Sequence, residues 1–423
     1  MLATIANAFK VAEIRKKLAF TAGMLLIYRF GSHVPVPGVN LTAVNNIQKS
    51  FGGSGILSYL NLFSGGGLGR IAIFALGIMP YITSSIILQL LQVAVPSLEK
   101  LSKEGEVGQA RITQYTRYLT VGLAFAQSIG YVFLFHSLQA KAGENVIKHF
   151  DLPHIFLIVV CLTAGCVLLM WIGELITQRG IGNGISLLIF ASIVSRIPGA
   201  IQTWWTTNDQ VFKVMAPFLV LVVVAAIVFV QEGQRRIPVQ YAKRVIGRRM
   251  TEGGQTYLPL RVNMAGVIPV IFAASIMAFP PTVGQLVKTH WGTKLSDFFT
   301  PNGWHYVVGQ SLFIMVFTYF YTAVTFNPVD QADNLKKYGG FIPGVRPGRP
   351  TAEFLDRILA RLTFPGALFL AAVAALPAIL FARTHQQFQF GGTSILIVIG
   401  VALETMKQLE AQLMMRSYEG FLK

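Results

Sequence analysis

The chain has 423 residues, of which 53% are hydrophobic and only 13% are charged. Its mean hydropathy of +0.57 leaves too little polar surface for a soluble globule of this length, so the composition indicates an integral membrane protein. The formal net charge of +17 would also suit a nucleic-acid-binding protein. Only the distribution of the basic residues along the chain separates these two classes.

The N-terminal residues lack the pattern of a cleavable signal sequence. Residues 1–17 have apolar side chains on one helical face and end in a basic cluster, so we expect a cytoplasmic amphipathic segment that lies along the membrane surface. Cys161 and Cys166 are five positions apart in one apolar run. This spacing favours two buried small side chains over a disulfide or a zinc site.

Ten apolar segments are long enough to cross a bilayer, because about 20 helical residues span a hydrocarbon core of about 30 Å. Proline and glycine interrupt many of these segments, which predicts irregular helices in a large bundle with an internal cavity. The predicted spans are residues 18–36, 71–95, 115–138, 153–176, 181–203, 213–232, 262–287, 304–328, 360–382 and 386–407.

A short apolar octet, residues 56–63, lies between the first two predicted spans and is bracketed by glycines. As a helix it would reach only about 12 Å, so it cannot cross the bilayer. Two interpretations follow from these residues. The octet is either a half-helix that stops a channel or a loop helix packed against its neighbours.

The basic residues are shared unequally between the two sides of the membrane. If the N-terminus is cytoplasmic, most of the 35 Lys and Arg residues fall on the cytoplasmic side, so the positive-inside rule predicts that both termini are cytoplasmic. Two cytoplasmic loops, 233–261 and 329–359, carry basic residues at mid-loop. Contact with anionic lipid needs basic residues only at the helix ends, so these loops favour docking of ribosomal RNA or a motor protein.

The spans do not contain the residues that an enzyme or an ion-coupled transporter needs at depth. Glu174 and Glu404 are the main carboxylates in the spans, and their positions near the predicted cytoplasmic ends suggest that they solvate helix ends. Arg196 can reach outward past Pro198, and the seven histidines form no pair at metal-ligand spacing. We therefore expect no enzymatic activity, no catalytic residue, no metal and no cofactor.

Two predicted helices repeat one arrangement of polar and aliphatic residues. In the second span Ile78, Ile82 and Gln89 share a face, and in the seventh, which runs the opposite way, Asn263 comes eight residues before Ile271. Each helix thus places an amide about 10 to 12 Å cytoplasmic of an isoleucine. If these faces meet across a cavity, a wet vestibule closes on a dewetting aliphatic ring; ordinary packing of isoleucines is the alternative.

Several long motifs occur in an order that resembles the SecY family, the central subunit of the Sec protein-conducting channel. They include RFGSHVPVPGV, IFALGIMPYITSSIILQLL, ITQRGIGNGISLLIF, LPLRVNMAGVIPVIFA and FNPVDQADNLKKYGGFIPGVRPG, and the resemblance covers essentially the whole chain. It implies an all-α polytopic membrane protein with ten transmembrane helices in two pseudo-symmetric five-helix halves around an hourglass pore. The halves would be residues 18–208 and 209–410, followed by a cytoplasmic tail at 411–423.

The resemblance also implies roles for individual residues, and for the fifth and tenth helices it is the only source of those roles. Helices two and seven would form a lateral gate with Gln89 and Asn263 as its polar latch. The pore ring would consist of Ile78, Ile82, Ile185, Ile189, Ile271 and Ile397. A plug at about residues 56–68 would include Ile56, Leu57, Leu60, Leu62, Phe63 and Leu68. Docking to the ribosome or motor would use Lys243, Arg244, Arg248, Arg249 and Arg346.

The function implied is a channel that translocates unfolded polypeptides across the cytoplasmic membrane and releases hydrophobic segments sideways into the bilayer. Expected partners are SecE-like and SecG-like small membrane subunits, the SecA motor ATPase, the ribosome, preproteins with signal sequences, and anionic lipids. Another polytopic transporter or an insertase is the alternative. A transporter would need buried coupling residues and an insertase a charge in its groove, and the spans indicate neither.

Overall fold

The structure of the protein is a computed structural model. It describes residues 9, 11–40, 42–44, 61, 64–142, 146–147, 150–207, 210–241, 245–246, 249–250, 255–286, 303–384 and 392–421. The helices are α1 (Ala12–Gly31), α2 (Met79–Ala94), α3 (Pro96–Lys103), α4 (Glu106–Ala142), α5 (Leu152–Arg179), α6 (Gly184–Val194), α7 (Ile197–Thr206), α8 (Gln210–Glu232), α9 (Ile268–Leu286), α10 (Trp304–Thr325), α11 (Pro328–Lys337), α12 (Arg349–Thr384) and α13 (Gly392–Phe421). The strands are β1 (Gln234–Tyr241), β2 (Val245–Ile246), β3 (Arg249–Met250), β4 (Gln255–Arg261) and β5 (Gly340–Phe341).

Seven stretches of the described chain are helical, long and apolar enough to cross a membrane, and α2 with α3 makes an eighth if that bent pair is one span. The predicted count of ten spans is therefore not confirmed, although a helix lies within each of the ten predicted ranges. The count leaves out α1, whose first turns are charged, and α9, whose described apolar part is short. The seven stretches are Glu106–His136, Leu152–Arg179, Gly184–Thr206, Lys213–Glu232, Trp304–Lys337, Arg349–Leu376 and Gly392–Met415.

The second predicted span is helical only from Met79 onward, rather than from residue 71. Gly77 has a φ of 61°, a backbone conformation that a helix cannot contain, and Pro80 stands in the first turn, where its missing N–H costs no hydrogen bond. The residues before the helix bond to the segment after α1 instead, since the N–H of Ile73 donates to the carbonyl of Val34 at 2.9 Å. The chain thus enters α2 from a compact turn.

A sharp bend of 100° separates α2 from α3. Val95, between them, is extended, because the residue before a proline avoids the helical region and Pro96 follows directly. Within α3 the apolar side chains share one face while no residue is buried. The bend therefore ends the second span and turns the chain along a surface.

Small residues let α5 pack close to the turn that precedes α2. A Cβ at Gly165 of α5 would overlap the backbone carbonyl of Ile73. In the same helix, the backbone of Gly173 lies so near Gly184 that a Cβ at Gly184 would overlap it as well. Close backbone approach at small residues is the usual basis of helix packing in membranes, where the hydrophobic effect contributes little.

The two long loops predicted between spans pair with each other to form one sheet. β1 runs antiparallel between β4 and β5, so the strand order is β4-β1-β5, and β2 with β3 forms a separate short pair. β1 alternates, with Ile237 and Val239 turned inward, and these side chains join Leu260, Ile342 and Leu355 in a second apolar core. The sequence analysis described these segments as loops and did not predict the sheet, in which β5 pairs with a strand about a hundred positions earlier in the chain.

Replacing Gly165 with Ala tests the close packing of α5. The added methyl group overlaps the Ile73 carbonyl, so we expect the free energy of unfolding to fall by about 1 to 3 kcal/mol. Gly122 of α4 is the matched control, because a Cβ there meets no atom within 4 Å and Ala is the better helix former by up to about 1 kcal/mol. Thermal unfolding in detergent measures both variants. Equal midpoints for the two would contradict the packing described.

Candidate functional site

The six isoleucines assigned to the pore ring lie in one continuous apolar cluster. Five of them are at most 4% exposed, and Ile185 is partly buried against the same cluster. Five of them lie in the four helices α2, α6, α9 and α13, and Ile78 directly precedes α2. These helices belong to both predicted halves of the chain. The same cluster also contains buried isoleucines outside the predicted ring, such as Ile158 and Ile172, so both the ring and ordinary core packing agree with it.

The helices α2 and α9 touch at the level of these isoleucines. The hydroxyl of Ser275, one turn beyond Ile271, points to the sulfur of Met79 at 3.8 Å, and Met79 directly follows Ile78. Ser275 also donates to the carbonyl of Ile271 at 2.8 Å, which satisfies its polar group inside the apolar cluster. The described contact between α2 and α9 at this level is thus mainly apolar, and it contains no strong cross-helix hydrogen bond.

Local hydrogen bonds determine where α6 begins and hence where its isoleucines lie. The side chain of Asn183 accepts from the N–H groups of Ile185 at 3.1 Å and Ser186 at 3.4 Å, so it is the N-cap. Gly182, with a φ of 85°, makes the turn from α5. Ile185 and Ile189 then stand one turn apart on the same face. The motif RGIGNG at residues 179–184 thus forms the turn between α5 and α6.

Most of the predicted plug lies outside the described residues: Ile56, Leu57, Leu60, Leu62 and Phe63 cannot be placed. Leu68, its last predicted member, is 1% exposed and begins a single 3-10 turn.

The described end of the predicted plug is a network of short hydrogen bonds. The side chain of Asn61 accepts from the N–H of Gly69 at 2.9 Å, and the hydroxyl of Ser64 accepts from the N–H of Leu68 at 3.0 Å. From α1, the guanidinium of Arg29 donates to the carbonyl of Gly65 at 2.8 Å. This end of the segment is therefore held against α1.

The two residues of the predicted polar latch do not bond to each other. The amide of Gln89 donates to Ser85 at 3.4 Å, and that of Asn263 donates to the carbonyl of Gly266 at 2.8 Å. The oxygen atom of each amide is buried and has no hydrogen-bond partner among the described residues. Two acceptors therefore stand ready at α2 and beside α9 for a donor that enters between them.

The structure describes only two of the five predicted docking residues, Arg249 and Arg346. Lys243, Arg244 and Arg248 lie outside the described residues, and Arg249 is placed only as the β3 partner of Ile246. Arg346 is exposed on a turn. Its carbonyl accepts from the Thr351 hydroxyl at 2.8 Å, and glycines with positive φ stand two positions before and after it. The turn thus presents Arg346 to solvent from a backbone tied to α12.

The interpretation of Glu174 as a helix-end solvating group was wrong. Its side chain is only 12% exposed and accepts two hydrogen bonds from Arg117 of α4, at 2.6 and 2.9 Å. This bidentate ion pair joins α4 to α5 near the ends that the sequence predicts to be cytoplasmic. The sequence could have predicted this ion pair, because the two spans run in opposite directions and place opposite charges at similar depth.

A second ion pair joins two helices from the other half. Lys407 of α13 donates to Glu232 at the end of α8 at 2.8 Å. Among the described residues no group of three or more His, Cys, Asp or Glu side chains is placed to hold a metal ion. Glu174 and Glu232 thus each link two helices through an ion pair.

Comparison with known proteins gives three results. The family model SecY matches residues 72–406. Protein translocase subunit SecY of Streptomyces galbus is 48% identical, that of Streptomyces scabiei 49% and that of Mycobacterium tuberculosis 47%, each over the whole of both chains. Among solved structures, a protein conducting channel aligns with a TM-score of 0.64 at 17% identity, covering 93% of this chain and 91% of that one. Sec61 in a canine ribosome-channel complex from the endoplasmic reticulum aligns at 0.61, with the same identity and coverage. At such identities the structural likeness shows the fold.

Replacing Glu174 with Gln tests the ion pair between α4 and α5. The variant leaves Arg117 without its carboxylate in a half-buried position, so we expect a loss of about 1 to 3 kcal/mol in the free energy of unfolding. The double variant with Arg117→Gln should lose less than the sum of the two single variants, because the pair is already broken. Glu99→Gln is the control, since its pair with Lys103 is exposed and we expect no measurable change. Additive losses in chemical denaturation would contradict the coupling.

Proposed function

The chain belongs to the SecY family, and we propose that its four-helix isoleucine cluster is the point at which an unfolded polypeptide crosses the membrane. The protein is a multi-pass membrane protein and the channel subunit of a protein translocase, and it is not itself an enzyme. Identity to translocase subunits over the full length favours this function over another transporter or an insertase.

The observation that carries the proposal is the packing of all six candidate isoleucines, five of them buried and Ile185 partly buried, in one apolar cluster with residues from both halves of the chain. An extended polypeptide in hydrocarbon leaves its backbone N–H and C=O groups unsatisfied, at several kcal/mol each. A water-filled funnel on each side of a short waist removes most of that cost. Aliphatic side chains suit the waist because they bind no residue specifically and exclude ions when they close.

Lateral release follows from the contact between α2 and α9. We propose that the two halves, residues 18–208 and 209–410, separate along this contact as a clam shell opens. The soft Ser275–Met79 contact supports this, because few strong bonds must break. A segment of about 20 apolar residues is more stable in lipid than in an aqueous pore, so it leaves through the opening. The free acceptors of Gln89 and Asn263 are suited to hold the gate while it is partly open.

The outer seal is assigned to the segment at about residues 56–68. Its apolar octet is too short to span, and its described end is tied to α1 through Arg29. A seal anchored at one end can swing aside without leaving the channel. The network of Asn61 and Ser64 supports a fixed pivot at that end.

The partners and location are proposed from the charges and from related proteins. Two similar structures are described as a ribosome-channel complex and as an idle Ssh1 complex bound to the yeast 80S ribosome, which supports a ribosome as a partner here. We place the protein in the cytoplasmic membrane with both termini cytoplasmic, and we assign SecE-like and SecG-like subunits, a SecA motor, signal sequences and anionic lipids as further partners. Energy comes from these partners, because the channel itself makes or breaks no bond.

Replacing Ile78, Ile82 and Ile271 together with Ser tests the waist. Smaller polar side chains would admit water and ions, so we expect a severalfold rise in resting ion conductance across planar bilayers and a weaker requirement for a signal sequence. Ile158→Ser in α5 is the control, since this isoleucine is equally buried but is not assigned to the ring. Unchanged conductance in the triple variant, with the protein still folded, would contradict the ring.

Replacing Arg346 with Glu tests the docking turn. Reversing an exposed charge at an interface with ribosomal RNA or an acidic motor surface should weaken binding about tenfold and cripple translocation, while the channel still assembles. Arg349→Glu gives the same change of net charge three residues away, where the arginine is bonded to Glu353 at 3.4 Å. Binding is measured by co-sedimentation with ribosomes and motor. Normal binding and translocation by the Arg346 variant would refute the docking role.

A further inference from the structure

Glu404 of α13 stands on the helix face that carries the assigned ring residue Ile397. Seven residues separate the two, so their side chains project within about 20° of one another and lie about 10 Å apart along the helix. With the proposed orientation, Glu404 is the more cytoplasmic of the two. It is therefore aligned with the approach to the waist.

The surroundings of Glu404 indicate a water-filled space on that face. Its side chain is exposed, whereas Val401, on the same face one turn nearer the waist, is 1% exposed and the preceding residue Leu403 is 8% exposed. A carboxylate within a membrane-spanning helix is costly unless it faces a protein interior or a water-filled cavity. Exposure on the inward face thus places this carboxylate in the cytoplasmic vestibule rather than in lipid.

Glu404 differs from the other acidic residues at this level in having no cation bonded to it. Glu174 is bonded to Arg117, and Glu232 is bonded to Lys407. Among the described residues, no Lys, Arg or His nitrogen lies within 4 Å of the Glu404 carboxylate, although Arg261, at the end of β4, acts on it electrostatically. Its negative charge is therefore open to a cation that enters the vestibule.

Three segments carry polar groups at similar sequence distances from assigned ring residues: α2, the residues just before α9, and α13. Gln89 comes seven residues after Ile82, Asn263 comes eight before Ile271, and Glu404 comes seven after Ile397. The first two are neutral amides, so among these three Glu404 alone carries charge. The chain as a whole has a formal net charge of +17, which disfavours entry of cationic polypeptide.

We propose that Glu404 is a specificity-determining residue that receives the Lys or Arg residues flanking an apolar segment of the cargo. This inference rests on the proposed function. After the Lys or Arg residues of the cargo pass the basic cytoplasmic loops, they meet the Glu404 carboxylate about two helical turns before the waist. Held there, they keep the positively charged end on the cytoplasmic side while the apolar part reaches the opening between α2 and α9.

The test uses the assembled translocase in vesicles and two precursors that differ only in the three residues before the apolar segment, Lys in one and Gln in the other. Glu404→Gln should slow translocation of the Lys precursor about threefold to tenfold and leave the Gln precursor unchanged, as expected for the loss of one attraction in a wet site. Glu404→Asp should behave as the native chain. Glu404→Lys should favour a third precursor with Glu before the apolar segment.

The matched control is Ala402→Gln, an exposed position on the other side of α13. It should alter neither precursor. If Glu404→Gln slows both precursors equally, the residue has a structural role and the inference is overturned. If it slows neither precursor, the residue does not act on the cargo and the inference is also overturned. If the native channel passes none of the precursors, the proposed function fails and this inference fails with it.

Discussion

The packing of aliphatic side chains from both halves of the chain in one apolar cluster is the interaction on which the rest of the structure depends. It lies beside a weak hydroxyl–sulfur contact between Ser275 of α9 and Met79 of α2, and most of its own contacts are between apolar side chains. Dispersion contacts of this kind are individually weak and have no fixed partner. They can therefore hold the channel closed, separate around a passing chain of any sequence, and close again, which a hydrogen-bonded seam could not do.

Stronger interactions surround this apolar cluster and keep its helices in place. The Arg117–Glu174 pair fixes α4 against α5, and the close approach at Gly165 fixes α5 against the turn before α2. A sheet built from both long loops ties β1 to β5, and the turn that carries Arg346, the proposed docking residue, follows β5. The protein thus combines firm helix pairs with a weaker contact between them, and we propose that the cargo passes at this weaker contact.

Helical periodicity predicted the shared face of Ile78 and Ile82, which lie one turn apart at the start of α2. The depth assigned to Ile271 assumed a helix from Asn263 onward, whereas α9 begins at Ile268, so that depth stays a prediction. The β1–β5 pairing and the Arg117–Glu174 pair were not predicted, because each joins residues far apart in the chain. The helix start at Met79 was not predicted either, because the residues before it are as apolar as the helix and do not indicate the turn at Gly77. Family resemblance alone supplied Ile185, Ile189 and Ile397.

The most direct test is to arrest a polypeptide during translocation and to place a photoreactive residue at Ile271 or Ile397 of the channel. The account predicts that the stalled chain crosslinks at both positions and that the buried control position Ile158 gives no product. Crosslinks absent from the ring positions, or equally strong at Ile158, would show that the polypeptide takes another path and would contradict the account.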